Sequence, residues 1–177
     1  MNFALTWAIL DIVVGIIFVI IDFKEYLKMW KACLVPKANL MGVAFAVLLM
    51  ISLFICDLLG MIEAEGESGN PFVSPLLLPF TTILLPLFAY GETWLFQEMP
   101  IKKLGKVDGT LFGASIFGLA HGLLCLSWLT GVVTFMLGLF LAILYCKRGF
   151  NFAASAHLGY DAFLLTLLII SLVGNSL

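Results

Sequence analysis

The chain has 177 residues, of which 63% are hydrophobic and 11% are charged, with a formal net charge of −2 and a mean hydropathy of +1.15. Its apolar runs exceed what the core of one soluble domain can bury, so this composition excludes an ordinary soluble protein. We therefore expect a polytopic membrane protein that contacts the lipid bilayer and binds no nucleic acid.

Windows of about 20 consecutive apolar residues predict six membrane-spanning helices. In chain order, the windows cover residues 3–21, 40–62, 72–96, 110–128, 129–145 and 152–173. We therefore expect an all-α fold, a polytopic transmembrane bundle of about six helices that forms a single domain over residues 1–177.

The segment between the first two predicted spans has apolar residues at helical spacing and lysines on its other faces. The apolar residues are Phe23, Tyr26, Leu27, Trp30 and Leu34. This pattern predicts an amphipathic helix that lies along the cytoplasmic leaflet. It is interpreted as an anchor for anionic headgroups, with a platform that delivers a lipidated substrate as the alternative.

Three prolines, Pro75, Pro79 and Pro86, precede Glu92 in the third predicted span. Because proline removes a backbone donor, we expect a kinked helix whose freed carbonyl groups find partners on neighbouring helices or in water. Residues 63–71, just before this span, are polar and acidic, and we expect a loop there rather than a domain linker.

The positive charges predict the orientation of the chain in the membrane. All nine cations fall in alternate loops: Lys24, Lys28, Lys31, Lys37, Lys102, Lys103, Lys106, Lys147 and Arg148. Short loops rich in lysine and arginine stay on the cytoplasmic side. We therefore expect three cytoplasmic loops, with the acidic loop and both termini outside.

Glu92, His121, His157 and Asp161 are ionisable residues inside predicted spans. Such residues are costly in hydrocarbon and usually mark a functional site. His157 and Asp161 are four positions apart and are therefore neighbours on one helical face. Counted from the basic loops at about 1.5 Å per residue, these residues lie between the cytoplasmic face and mid-membrane. A carboxylate and an imidazole that share a water there can act as general base and acid.

Three motifs contain these residues: E-T-W-L-F-Q at 92–97, F-x-x-x-H at 117–121 and H-x-x-x-D at 157–161. Their order and spacing resemble the CAAX-protease and bacteriocin-processing family, whose members carry E-E-x-x-x-R, then F-x-x-x-H, then H-x-x-x-N or H-x-x-x-D. The resemblance covers a four-helix core at about residues 75–173. It implies a metal-independent intramembrane endopeptidase, without a cofactor, that cleaves a prenylated or membrane-anchored peptide or protein.

The resemblance also implies a role for each of the four ionisable residues. Glu92 and His121 would activate water, and His157 with Asp161 would support the oxyanion. Because an ionised Asp161 would repel an oxyanion, we expect it to orient His157 and keep it protonated, so that the imidazolium is the donor. Phe117 belongs to the second motif as a supporting residue.

Thr93 and Gln97 depart from the family pattern, since they occupy the positions of its second glutamate and its arginine. Those two family residues are four positions apart and could form an ion pair on one helical face. The neutral pair here avoids an unpaired buried charge, which would be expensive. We therefore interpret Thr93 and Gln97 as an exchanged structural pair, with Glu92 retained.

Four alternatives stay open from the sequence alone. The chain could be a non-catalytic family member with an immunity, scaffolding or regulatory role, for which Thr93 and Gln97 would be the signs. It could be a proton-coupled transporter in which Asp11 and Asp57 add relay groups. The four ionisable residues could ligate zinc, or could only hold helices together.

Overall fold

The computed structural model describes residues 3–58 and 78–174, and in these two stretches every regular element is helical. This confirms the all-α prediction. The predicted acidic loop, Pro75 and the start of the third predicted span lie outside the described residues.

The described residues form helices joined by short connections. They are α1 (Phe3–Ile21), α2 (Phe23–Ala32), α3 (Pro36–Leu58), α4 (Leu78–Thr93), α5 (Met99–Leu104), α6 (Lys106–Cys125), α7 (Trp128–Arg148) and α8 (Phe150–Gly174). A π-helical turn, Trp94–Glu98, links α4 to α5.

Four of the described helices, α3, α6, α7 and α8, are long and apolar enough to cross a membrane. The chain is therefore an integral membrane protein. Helix α1 has the bounds of the first predicted span and includes a shorter apolar stretch, Ile12–Ile21. The described part of the third predicted span is the 16-residue helix α4.

The corner between α6 and α7 differs from the prediction, which had it between residues 128 and 129. Helix α6 ends at Cys125, and Leu126 adopts a left-handed backbone conformation with φ of 50°. Ser127 then caps α7, because its hydroxyl accepts a hydrogen bond of 3.0 Å from the Thr130 N–H. Side-chain capping, which a hydropathy window does not detect, sets this boundary.

Helix α2 is amphipathic, and it is attached to α4 through its buried face. Phe23 and Leu27 are exposed, whereas Tyr26 is buried and donates a hydrogen bond of 2.6 Å to the Ile83 carbonyl. Ile83 lies three residues before Pro86, which is inside α4. A side chain of α2 thus supports the backbone of α4 close to its proline.

The junction of α2 and α3 is attached to α8 through Ser155. The Ser155 hydroxyl donates to the Ala32 carbonyl at 3.0 Å and accepts from the Val35 N–H at 3.2 Å. Backbone groups between the two helices, which helix geometry leaves without partners, are satisfied in this way. The contact lies two residues before His157.

Small residues allow the long helices to pack closely. Helices α6 and α7 pack along their length, and a Cβ on Gly118 would lie 2.6 Å from the Gly131 carbonyl oxygen. Helices α3 and α8 pack in the same way, because a Cβ on Gly159 would overlap the backbone of Asn39. These contacts hold the helices that carry both histidines.

Single glycines form two of the corners, and both corners carry cations. Gly105 follows α5 with φ of 86° and ψ of 174°, and Gly149 follows α7 with φ of 85° and ψ of 179°. This backbone region is essentially restricted to glycine. Lys102, beside the first corner, is exposed, and its hydrogen bond with the Glu98 carboxylate raises its pKa.

Candidate active site

Four ionisable side chains from three helices meet inside the bundle. Oε2 of Glu92, near the end of α4, lies 3.8 Å from Nε2 of His121 on α6. The same oxygen lies 3.5 Å from Nε2 of His157 on α8. Oδ2 of Asp161, one turn after His157, lies 3.6 Å from that nitrogen. Glu92 is therefore adjacent to both imidazoles, and His157 is adjacent to both carboxylates.

These four side chains differ in their exposure. His157 is 1% exposed, whereas Glu92 is 32%, His121 is 26% and Asp161 is 24% exposed. A buried imidazole needs hydrogen-bond partners, and two carboxylates lie beside it here. The partly open side chains of Glu92 and His121 leave access for a water molecule between them.

His121 is held by its own helix. Its Nδ1 lies 2.9 Å from the Phe117 carbonyl oxygen, one turn earlier on α6. A carbonyl accepts only, so this bond puts hydrogen on Nδ1 and leaves Nε2, the nitrogen nearest Glu92, free to accept a proton. The second motif thus presents a basic nitrogen to the carboxylate.

The Phe117 ring packs against both histidine rings. It lies edge-on to both rings, with centroid distances of 4.4 Å to His121 and 5.7 Å to His157. The Phe96 ring packs against the Phe117 ring, with a centroid distance of 5.1 Å. Because Phe117 is 1% exposed, it is a buried wall that keeps both imidazoles in fixed orientations.

Thr93 and Gln97 are both fully buried, and they have different partners. Oγ1 of Thr93 lies 3.2 Å from Nδ1 of His157 on α8. In the orientation that satisfies its amide, Gln97 Nε2 donates to the carbonyls of Glu92 at 3.3 Å and Thr93 at 3.2 Å. The side chains of Thr93 and Gln97 therefore do not pair with each other: Thr93 contacts another helix, and Gln97 bonds to two backbone carbonyls.

The π-helical turn explains the position of Gln97. A π-helix widens the backbone ring, and the Met99 N–H bonds to the Trp94 carbonyl, five residues earlier. Carbonyl groups at the end of α4 then need other donors, which the Gln97 amide supplies. Single π-turns of this kind are frequent at functional sites.

Sequence reasoning selected the four ionisable residues, and the fold brings all four together. It did not detect the contact between Thr93 and His157, because no periodic pattern connects residues on α4 and α8. The π-helical turn also had no sequence signal beyond the motif itself.

The four ionisable residues can exchange protons and hold a negative charge. A search of the described residues finds no group of three or more His, Cys, Asp or Glu side chains that could hold a metal ion. A carboxylate and a basic imidazole nitrogen that can share a water are the groups that general base catalysis uses. A second imidazole beside them can donate a hydrogen bond to a developing oxyanion.

An apolar groove of about 630 Å³ lies elsewhere, along the α6–α7 corner. Its lining includes Gly118, Gly122, Trp128, Gly131 and Phe135, and none of the four ionisable site residues. The groove is therefore separate from the four ionisable residues of the candidate active site.

Residues 73–163, just over half of the chain, match the family model described as Type II CAAX prenyl endopeptidase Rce1-like. This stretch contains the four ionisable residues together with Thr93, Gln97 and Phe117. The comparisons with curated proteins and with solved structures find no match.

Proposed function

The chain belongs to the Rce1-like family of type II CAAX prenyl endopeptidases, and we propose that it is itself an intramembrane endopeptidase that hydrolyses peptide bonds without a metal. The observation that carries the proposal is the position of Glu92, whose carboxylate is within 3.8 Å of one imidazole and 3.5 Å of another.

Hydrolysis begins with a water molecule between Glu92 and His121. Their separation of 3.8 Å is longer than a hydrogen bond, and both side chains are partly exposed, so a water can contact both. Glu92 accepts a proton from this water while the water oxygen attacks the carbonyl carbon of the substrate. The proton then passes to the leaving amine, and His121 assists its transfer.

The tetrahedral intermediate needs a donor for its oxyanion. His157 supplies the donor through its Nε2–H, and Asp161 orients the imidazole so that this hydrogen faces the site. The two acids thus have different tasks, since Glu92 moves a proton and Asp161 holds a ring in place. Burial of His157 strengthens its hydrogen bonds, because the local dielectric is low.

We propose a substrate that is already held at the membrane, a prenylated or otherwise membrane-anchored peptide or protein. The basic corners lie on the cytoplasmic side in the proposed topology, with both termini outside. The site lies within the bundle, so a lipid-anchored chain end reaches it more readily than a soluble protein does. The lipid anchor keeps the substrate at high local concentration.

The departures Thr93 and Gln97 favour a second candidate, a non-catalytic family member with an immunity, scaffolding or regulatory role. Both residues are uncharged where the family motif has a glutamate and an arginine. In this chain, however, they are buried and hydrogen-bonded, and they support the segment that carries Glu92. This arrangement favours an adapted site over a decayed one.

The test is cleavage by the purified wild-type protein in lipid nanodiscs, with a panel of peptides of one sequence. The panel contains a farnesylated CAAX peptide, its unprenylated form and a form anchored by an acyl chain. We expect cleavage of the lipid-anchored forms at rates well above the unprenylated form. Equal rates for all three would contradict the proposed substrate class.

A companion variant separates the two candidate functions. Thr93→Glu combined with Gln97→Arg restores the charges of the family motif. Failure of the wild type to cleave any peptide, together with activity of this double variant, would contradict the endopeptidase proposal and support the non-catalytic role.

A further inference from the structure

The hydroxyl of Thr93 reaches a histidine on another helix. Its Oγ1 lies 3.2 Å from Nδ1 of His157, and the two residues are 0% and 1% exposed. Thr134 and Thr166 instead donate to carbonyls one turn earlier on their own helices, which is a common use of threonine in a helix. Thr93 therefore makes a contact that local helix geometry does not require.

We propose that Thr93 is a positioning residue, whose hydroxyl holds Nδ1 of His157 so that Nε2 carries hydrogen and points at Glu92 and Asp161. Its catalytic consequence rests on the proposed function. The hydrogen bond between Thr93 and His157 does not depend on that function, so it can be tested even if this protein has no protease activity.

The surroundings of Nε2 determine where the hydrogen lies. Carboxylate oxygens accept only, and those of Glu92 and Asp161 are 3.5 Å and 3.6 Å from Nε2. A bare nitrogen would direct its lone pair at both, so Nε2 is favourable there when it carries hydrogen. In the neutral ring Nδ1 is then the acceptor, and the Thr93 hydroxyl is its donor.

A rival arrangement exists on the same helix. The backbone carbonyl of Ala89, one turn before Thr93, is also close to the His157 ring. A ring with its hydrogen on Nδ1 would donate to that carbonyl and would leave a bare Nε2 facing the two acids. The Thr93 hydroxyl, as a donor to Nδ1, opposes this tautomer.

The backbone around Thr93 is fixed, so the hydroxyl can hold the ring in one orientation. Gln97 donates its amide hydrogens to the carbonyls of both Glu92 and Thr93. The Gln97 side chain therefore anchors both Glu92, which is the proposed base, and Thr93, which positions His157. This explains why the two neutral residues occur together in the first motif.

The chain has only two histidines, His121 and His157, which makes a direct test possible. Protein labelled with ¹⁵N-histidine is reconstituted in lipid nanodiscs, and the ring nitrogen shifts are measured by NMR. A His121→Asn sample assigns the His157 signals. The variants are Thr93→Val, which keeps the shape and removes the hydroxyl, Thr93→Ser, which keeps the hydroxyl, and Thr166→Val as the matched control.

In the wild type we expect His157 to show a protonated Nε2 and a hydrogen-bonded, unprotonated Nδ1. Thr93→Val should shift the Nδ1 signal toward that of a free acceptor or produce a mixture of tautomers. Thr93→Ser and Thr166→Val should leave the His157 signals as in the wild type. A wild-type ring protonated on Nδ1, or signals unchanged by Thr93→Val, would overturn the proposal.

The kinetic measurement tests the catalytic consequence in an active preparation. Thr93→Val should lower kcat about ten-fold with KM unchanged, the size expected for one lost hydrogen bond, and Thr93→Ser should restore most of the rate. Equal loss in both variants would overturn the positioning role. A wild type without cleavage would contradict the proposed function alone, since the NMR result would still decide the arrangement of the ring.

Discussion

The carboxylate of Glu92 on α4 lies 3.5 Å from the His157 imidazole on α8. Both helices are tied to α2, since Tyr26 bonds to the α4 backbone and Ser155 of α8 bonds to the end of α2. The carboxylate and the imidazole thus approach each other within a frame of three connected helices. Preorganisation of this kind is what a catalytic pair needs, because the protein need not rearrange during reaction.

Replacement of His121 should remove the partner that shares the water with Glu92. We expect His121→Ala to lower kcat by about 10²- to 10⁴-fold, the range typical of general acid–base groups, with a much smaller change in KM. The measurement is steady-state cleavage of the best lipid-anchored peptide. A kcat within two-fold of the wild type, in a variant that unfolds at the wild-type temperature, would exclude His121 from proton transfer.

Replacement of Asp161 by asparagine tests whether its charge is needed. Asp161 contacts His157 at 3.6 Å, so loss of the charge should weaken the orientation of the ring and of its Nε2–H. We expect Asp161→Asn to lower kcat about ten- to hundred-fold, as for one hydrogen bond to a charged group. The matched control is Asp108→Asn at an exposed position of α6, which should be fully active. Full activity of Asp161→Asn would show that the charge is unnecessary.

The corner at Gly149 should tolerate no side chain, although there is space for one. A Cβ on Gly149 meets nothing within 4 Å, so the cost of Gly149→Ala comes from its φ of 85° alone. We expect the free energy of unfolding to fall by about 1–3 kcal/mol, measured by thermal unfolding in detergent.

Gly91→Ala is the matched control for this corner. Gly91 also has open space around its Cβ position, but it lies within α4 and has no positive φ. Alanine there should be neutral or stabilising by up to about 1 kcal/mol, because it favours a helix over glycine. Equal destabilisation in both variants would show that the corner conformation is not the cause.

The proposed orientation of the chain predicts which loops react with an impermeant thiol reagent. In a cysteine-free background, Lys103→Cys should be labelled only after intact cells are permeabilised, since basic loops are expected in the cytoplasm. Ser68→Cys, in the predicted acidic loop, should be labelled without permeabilisation. The reverse pattern would invert the topology.

The sequence predicts the parts of this fold that depend on local pattern. The hydropathy pattern predicted the bounds of α1. The four-residue spacing of His157 and Asp161 predicted that they share one face of a helix, α8. The corner at Ser127 was missed, although serine is a preferred N-cap residue and its hydroxyl accepts from the Thr130 backbone N–H.

Contacts between distant helices could not be predicted in this way. The bond from Thr93 to His157 and the bond from Tyr26 to Ile83 join residues far apart in the chain, and side-chain periodicity carries no information about such partners. Without the family resemblance, Glu92 and His121 would have been only two costly residues in hydrocarbon. Counting from the basic loops put them at a similar membrane depth, and the motif order then associated them as one site.

The most direct test of the account compares Glu92→Gln with Glu98→Gln in cleavage of a lipid-anchored peptide. Glutamine keeps the shape of Glu92 but cannot accept the proton of the attacking water, whereas Glu98 forms an ion pair with the exposed Lys102. We expect Glu92→Gln to abolish cleavage and Glu98→Gln to cleave at the wild-type rate. Wild-type cleavage by a folded Glu92→Gln protein would contradict the claim that Glu92 activates the water.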